Sequence, residues 1–395
     1  MYKKLLRQKC VAFRSQNVKA SFGALVFLCL FVAGAGLFAV PMGLGNMLNT
    51  MMNTAYQLLM NTALYIMAIA VLAGAFAALL TEFGVVALIN KILSPLMHPV
   101  YGMPGAAAIG IVTTFLSDNP AILALAKDAR YRRFFKTYQI PALTNLGTAF
   151  GMGLIVTTYM LGIGPANSHS LIGAVICGNL GAVAGSVMST RLMLMTTEKA
   201  LGKTEPASSV DVQEQVPLEK ARDPVGIRLI DAILRGGKTG VEMGLGIIPG
   251  VLIICTIVMM LTNGPSESGK YTGAAFEGIR LLPMLADRCS FLLKPLFGFS
   301  SSECLAVPVT ALGSAGAALG IAGTLFSSGA ADAGDIAVFT AMCMCWSGYL
   351  STHVSMMDVL QCRHFSGKSI LWHSLGGLLA GAVAHWLFVL VEMIP

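Results

Sequence analysis

Apolar residues run through this chain in stretches too long for a soluble core. Phe22–Val40, Thr62–Leu80, Ile140–Ile163, Leu171–Met188, Val241–Leu261, Ile336–Met357 and Ile370–Met393 are each near the roughly 20 residues that a helix needs to cross a bilayer. About seven full transmembrane helices are therefore predicted. Two further apolar stretches do not suit an uninterrupted span. The first, about 102–127, reads GMPGAAAIGIVTTFLSDNPAILALAK, and Thr113, Thr114, Ser117, Asp118, Asn119 and Pro120 gather in its middle. One helix through that cluster would hold an ionisable side chain and a helix breaker at membrane depth. Backbone freed by a break is tolerated there only where protein buries it or where it lines a water-filled cavity. The pattern predicts a re-entrant hairpin, two half-helices meeting at a polar tip.

The second stretch, about 299–326, echoes the first. Leu93-Ser94-Pro95-Leu96 reappears as Leu293-Lys294-Pro295-Leu296, with Gly102 and Gly298 following a few residues on. Thr113 and Ser117 match Thr310 and Ser314 at the same spacing in SSECLAVPVTALGSAGAALG. An internal repeat is the expectation, as in many transporters.

The connecting segments divide the chain. Residues 1–61 hold a basic N-terminus, the first span and a segment in which Asn46, Asn49, Thr50, Asn53, Thr54, Gln57 and Asn61 recur at helical spacing. That uncharged stripe predicts an interfacial helix or an extension of the next span. Residues 62–192 form the first repeat and 240–395 the second. Between them, 193–239 turns hydrophilic, with Pro206, Pro217 and Pro224, and reads as a cytoplasmic linker. The first apolar run ends without a convincing A-x-A site, so it is expected to remain as a helix rather than to be cleaved as a signal peptide.

Composition agrees with this pattern. The chain is 55% hydrophobic and 11% charged, where a soluble domain carries roughly a quarter charged residues. The net charge of +7 reads as basic cytoplasmic loops rather than a nucleic-acid surface. If the N-terminus lies inside and each hairpin returns to its own side, only Lys270, Arg280, Arg288 and Lys294 of the 26 Lys and Arg fall outside, the asymmetry of the positive-inside rule. Three crossings then separate the hairpins, so they enter from opposite faces as an inverted repeat, and the C-terminus lies outside.

Few residues at depth carry chemistry, and ionisable ones there are candidates by default. Asp118 and Asn119 sit at the first hairpin tip; as a competing role they cap the half-helix and make its turn. Ser302 and Glu303 open the second hairpin, with Thr310 and Ser314 further along. Asn145, beside the first hairpin in sequence, offers an amide, although such amides often serve as packing glue. His353 could couple protons if it faces a cavity, but a lone His near a helix end is more often a satisfied structural group. Glu242 and His385 look peripheral. Nine cysteines form no CxxC, so neither a zinc site nor a redox pair is indicated. The run Met342 to Cys345 offers soft ligands, yet neighbouring helical residues point apart, and core packing explains it better. No Walker loop, HExxH or GxSxG occurs, and no enzyme activity or cofactor is expected.

Taken together, GMPGAAAIGIVTTFLSDNPAI and GFSSSECLAVPVTALGSAGAALG, each after an L-x-P-L segment, resemble the nucleoside-recognition or Gate domain. That domain is shared by concentrative nucleoside transporters, ferrous-iron permease membrane domains and the spore-maturation A and B proteins. The resemblance runs from about Thr62 to the C-terminus. It implies substrate held between hairpin tips, in a homo-oligomer of a bacterial cytoplasmic (inner) membrane. The chain departs from the nucleoside transporters in its hairpin motif and from the iron permeases in lacking a GTPase domain, so no substrate is carried over from either. The expected function is secondary transport of a small polar solute, of the nucleoside, amino acid or short peptide class, coupled to H+ or Na+. A divalent-metal permease and a non-transporting membrane interaction protein are the alternatives. The residues expected at the site are Thr113, Ser117, Asp118, Asn119, Asn145, Ser302, Glu303, Thr310, Ser314 and His353.

Overall fold

The computed structural model describes residues 2–127, 129–164, 169–203, 207, 224–266, 268–347 and 349–393. The centre of the linker expected at 193–239 and the side chains of the basic N-terminal segment lie outside the described residues. All regular structure among the described residues is helical, as an apolar environment demands, because a helix satisfies its own backbone polar groups. Among the described residues six helices are long and apolar enough to cross a membrane, and the protein is an integral membrane protein.

The order of elements occurs twice. A first helix, α1 (Tyr2–Met42), precedes both copies. The first copy has a long helix α2 (Leu44–Glu82) and a shorter one α3 (Val85–Tyr101). The hairpin α4 (Ala107–Leu116) and α5 (Pro120–Lys127) follows. Next come an interrupted helix α6 (Ala142–Thr148) with α7 (Gly153–Gly162), and a long helix α8 (His169–Leu201).

In the second copy α9 (Val225–Thr262) is the long helix, with α10 (Leu281–Arg288) and α11 (Ser290–Phe297) as the short pieces. The hairpin is α12 (Ala306–Ala311) and α13 (Ala315–Ser327). It is followed by α14 (Ala333–Cys345), α15 (Tyr349–Val359) and the long helix α16 (Ser366–Glu392). The L-x-P-L segments sit in α3 and α11, and both stop at a left-handed glycine, Gly102 at φ 71° and Gly298 at φ 64°. Only glycine takes that conformation without a steric penalty.

Two expected spans differ. Ile336–Met357 is not continuous, because α14 stops at Cys345 and α15 begins at Tyr349. The first copy breaks its counterpart in the same place, between α6 and α7. The polar connector is also narrower than 193–239, since α8 runs to Leu201 and α9 begins at Val225.

The long helices pair across the copies through small residues. Gly236 and Gly240 of α9 press on Gly74 and Ala70 of α2, while Gly181 and Gly185 of α8 meet Ala380 and Gly376 of α16. Without a hydrophobic force between helices in lipid, such close backbone approach supplies the attraction. Glu82 closes the α2–α9 pair at one end, accepting from Arg228 Nε at 2.8 Å and Arg235 at 3.3 Å.

The uncharged stripe on α2 has a partner 220 or more positions away. Asn46 Nδ2 donates to the Tyr271 carbonyl at 3.1 Å, Asn53 Nδ2 donates to that of Gly273 at 2.9 Å, and the Phe276 N–H donates to Thr54 Oγ1 at 2.8 Å. The stripe thus holds an irregular connector whose backbone has no ladder of its own. Buried Glu277 orders the same connector from within. It accepts from the Thr272 N–H at 3.0 Å, the Thr272 hydroxyl at 2.7 Å and the Gly273 N–H at 3.0 Å.

Burial alone would push the Glu277 carboxyl up, but these donors outweigh it and hold it below its ordinary 4.5. A carboxyl depressed in the folded state stabilises above its unfolded value and loses that contribution as pH falls through the folded one. Acid melting below pH 4.5 should therefore be steeper for the unsubstituted protein than for Glu277→Gln. A second expectation concerns the glycine contacts. At Gly240 a Cβ would collide with the Ala70 carbonyl and Val71 Cα, whereas at Gly226 of the same helix it meets nothing. Gly240→Ala should lose about 2 kcal/mol in detergent unfolding, while Gly226→Ala should hold or gain stability through helix propensity.

Candidate functional site

Three interruptions in the helices converge at the tip of the first hairpin. At Ser117 the backbone leaves the helical region (φ −133°, ψ −105°), and α5 starts at Pro120, a first-turn position where a missing N–H costs nothing. Asp118 Oδ1 accepts the Asn119 N–H at 2.7 Å, and the Ser117 hydroxyl donates back to the Thr113 carbonyl at 2.7 Å. The second interruption, Ala149–Met152, ends with Met152 at φ 55°. A non-glycine residue there is strained by roughly 1–2 kcal/mol, and such strain tends to collect at functional sites. The third interruption includes Trp346 and Ser347.

Asn119 stitches the three together. Its Nδ2 donates to the Ser347 carbonyl at 2.7 Å. A Cβ at Gly151 would collide with Asn119 Oδ1 and press on Ser347, so glycine is what lets the second interruption come this close. Asn119 is only 2% exposed, and its Oδ1 accepts no hydrogen bond among the described residues.

Beside this junction lies a cavity of 590 Å³, lined among others by Ser117, Asp118, Met152, Thr239, Glu242 and Met243. Two carboxylates and two hydroxyls thus share one space, and among the described residues no Lys, Arg or His lines it. Glu242 looked peripheral in the sequence because its span was expected to begin at Val241. In fact α9 begins at Val225, which places Glu242 well inside a helix. Gly151 and Met152 also went unnoticed, although the glycine pair in FGMGL was a visible sign of a broken helix.

The other expected residues are dispersed. The Thr113 hydroxyl donates to the Ile109 carbonyl at 2.7 Å, and that of Thr310 to Ala306 at 2.7 Å, both within their own helices. Ser314 caps α13, accepting from the Ala317 N–H at 3.3 Å, and it packs against Gly250 of α9. Ser302 lines a smaller cavity of 170 Å³ with Asp287, Lys294, Ser300 and Ser301. Glu303 pairs with Arg280 at 3.0 Å. Near that cavity Asp335, 1% exposed, accepts from the Ser300 hydroxyl and from the Asp332 N–H at 2.9 Å.

Asn145 and His353 belong to a buried polar cluster instead. Asn145 Nδ2 donates to Ser189 Oγ at 2.8 Å and to the Ser369 carbonyl at 3.1 Å, while the Ser369 hydroxyl donates to Asn145 Oδ1 at 2.5 Å. Ser189 Oγ in turn lies 3.1 Å from His373 Nδ1. The His353 ring lies against that of His373, with centroids 4.6 Å apart and the planes tilted by 44°. These bonds tie α6 to α8 and α16 in the way expected of packing glue.

No protein-family model matches the chain, and no curated protein matches it. Among solved structures, the concentrative nucleoside transporter CNTnw in an inward-facing substrate-bound state aligns over 83% of this chain and 75% of its own length. The identity is 17% and the TM-score 0.53. A doubly substituted form of CNTnw in an outward-facing state covers 83% of this chain and 76% of its own, at 16% identity and a TM-score of 0.49. At this identity the likeness shows the fold: that of a polytopic membrane transporter.

Asn145→Ala removes a buried amide and orphans the Ser369 hydroxyl. It should cost about 2 kcal/mol of stability. Gly151→Ala should instead displace Asn119 from the junction, with ligand binding falling further than the melting temperature.

Proposed function

We propose that this protein is a secondary transporter of a small polar solute, and that the solute is held in the cavity beside the first hairpin tip. The carrying observation is that Asp118 and Glu242, from a hairpin interruption and a long helix, line one 590 Å³ space with Ser117 and Thr239. Ligand sites in transporters are commonly built where helices are discontinuous. The size suits a nucleoside, amino acid or short peptide. Carboxylates without a lining cation repel anions, so neutral, zwitterionic or cationic solutes fit best.

The coupling ion belongs to the same junction. A buried acceptor with no partner is ordinarily satisfied by water or an ion, and Asn119 Oδ1 is such an acceptor among the described residues. That chemistry favours Na+; the two carboxylates offer a route for H+ as the second possibility. The two copies are read as inverted, with the N-terminus inside.

Uptake into proteoliposomes under a Na+ or an H+ gradient tests this reading, with nucleosides, amino acids and short peptides as solutes. Asp118→Asn and Glu242→Gln should each reduce uptake at least tenfold while the melting temperature holds. If both variants transport at the unsubstituted rate, the solute site lies elsewhere.

A further inference from the structure

A second cavity stands apart from the proposed transport site, at the end of the α8–α16 pair. It measures 440 Å³, and Leu192, Met195, Thr196, Lys199, Lys368 and Trp372 line it. Leu192, Met195 or Thr196, and Lys199 fall on one face of α8 at helical spacing, and Lys368 and Trp372 stack in the same way on α16. The wall is graded over roughly 10 Å of helix. Lysines stand at the helix ends, Trp372 and Thr196 come next, and the side chains of Met195 and Leu192 lie deepest along the span. Trp372 is anchored by donating from Nε1 to Thr196 Oγ1 at 2.9 Å, which fixes the ring between the charged and apolar zones.

The charges at this end are not equivalent. Lys203 pairs with Glu198 at 2.9 Å and Arg363 with Asp358 at 3.5 Å. Lys199 and Lys368, on opposite walls of the cavity, have no carboxylate partner among the described residues. Both side chains are exposed.

From this gradient we propose that the cavity is a binding site for the headgroup of an anionic phospholipid. The two ammonium groups would hold the phosphate, Trp372 would lie at the glycerol level where aromatic side chains concentrate in membrane proteins, and the first acyl carbons would cover Met195 and Leu192. Basic pockets between transmembrane helices take anionic headgroups for this reason. A phosphate ion alone would fill only a small part of 440 Å³ and would leave the apolar wall uncovered, so the occupant argued for is the lipid. The lipid would clamp α8 to α16 at the end where no glycine contact does so.

The test measures the melting temperature of the full chain in a neutral detergent. Phosphatidylglycerol is added at fixed mole fraction, against phosphatidylcholine and against inorganic phosphate. Phosphatidylglycerol should raise the melting temperature by several degrees, as any ligand of the folded state does, and the other two should not. Lys199→Gln/Lys368→Gln should lose most of that rise, whereas Lys91→Gln/Lys238→Gln, also at exposed positions, should keep it. In the unsubstituted protein the rise should shrink as NaCl approaches 1 M, where the Debye length is about 3 Å, a readout that does not depend on any variant folding. An undiminished rise in Lys199→Gln/Lys368→Gln, an equal rise with phosphatidylcholine or inorganic phosphate, or a rise indifferent to salt would each overturn the site.

Discussion

Every interruption of a helix in an apolar setting releases backbone N–H and C=O groups that lipid will not accept. This chain interrupts its helices repeatedly, and the rest of the architecture follows from how the released groups are satisfied. Some are covered close by: at the first tip the Ser117 N–H donates to the Thr113 carbonyl at 3.1 Å and the Ala121 N–H to that of Asp118 at 2.9 Å. Others are capped, as Ser314 caps α13 and Asp332 caps α14 by accepting the Asp335 N–H at 3.0 Å. Others are satisfied across elements: His373 Nε2 meets the Cys345 carbonyl, and Asn119 reaches that of Ser347. That last bond makes the local breaks into a junction, because it requires the hairpin tip, Gly151 and Ser347 to occupy the same place.

The two hairpins differ in what their tips meet, although the same order of elements surrounds them. The first tip opens onto the larger cavity. The second is seated on α2 and α9, where Gly320 accommodates Thr62, Gly316 accommodates Ile247, and Gly250 faces Ser314. Both long helices loosen into a wider turn there, at Leu58–Ala63 in α2 and Val251–Cys255 in α9. Wider turns of this kind often accompany functional sites. Here they shape the bed of the second hairpin, so the same order of elements supports one open and one packed hairpin. The glycine-faced pairs α2–α9 and α8–α16 supply the frame around both.

Charge is used sparingly, and mostly at the margins. Glu82 with Arg228 and Arg235 closes one end of the α2–α9 pair, and Glu277 orders the connector after α9. Within the span region the uncharged cluster of Asn145, Ser189, Ser369 and His373 does comparable work without an ion's desolvation cost. Carboxylates at the principal cavity are therefore exceptions to the way the chain is otherwise built.

Apolar run lengths, the Asp-Asn-Pro cluster and the repeated L-x-P-L segments were enough to read long helices and two hairpins, because these depend on local composition and on the rule that backbone in lipid must be bonded. The position of Asp118 and Asn119 at a break between two short helices was legible for the same reason: a polar tip in an apolar stretch is a local signal. What Asn46, Asn53 and Thr54 hold was not legible, since their partners lie more than 200 residues away and a stripe of amides looks alike whether it faces water or a buried connector. The break at Trp346–Ser347, the place of Glu242 in a cavity wall and the diversion of Asn145 into packing have the same origin. Each depends on which surfaces meet when separate helices pack, and hydrophobic periodicity along one helix carries no information about the neighbour that will cover it.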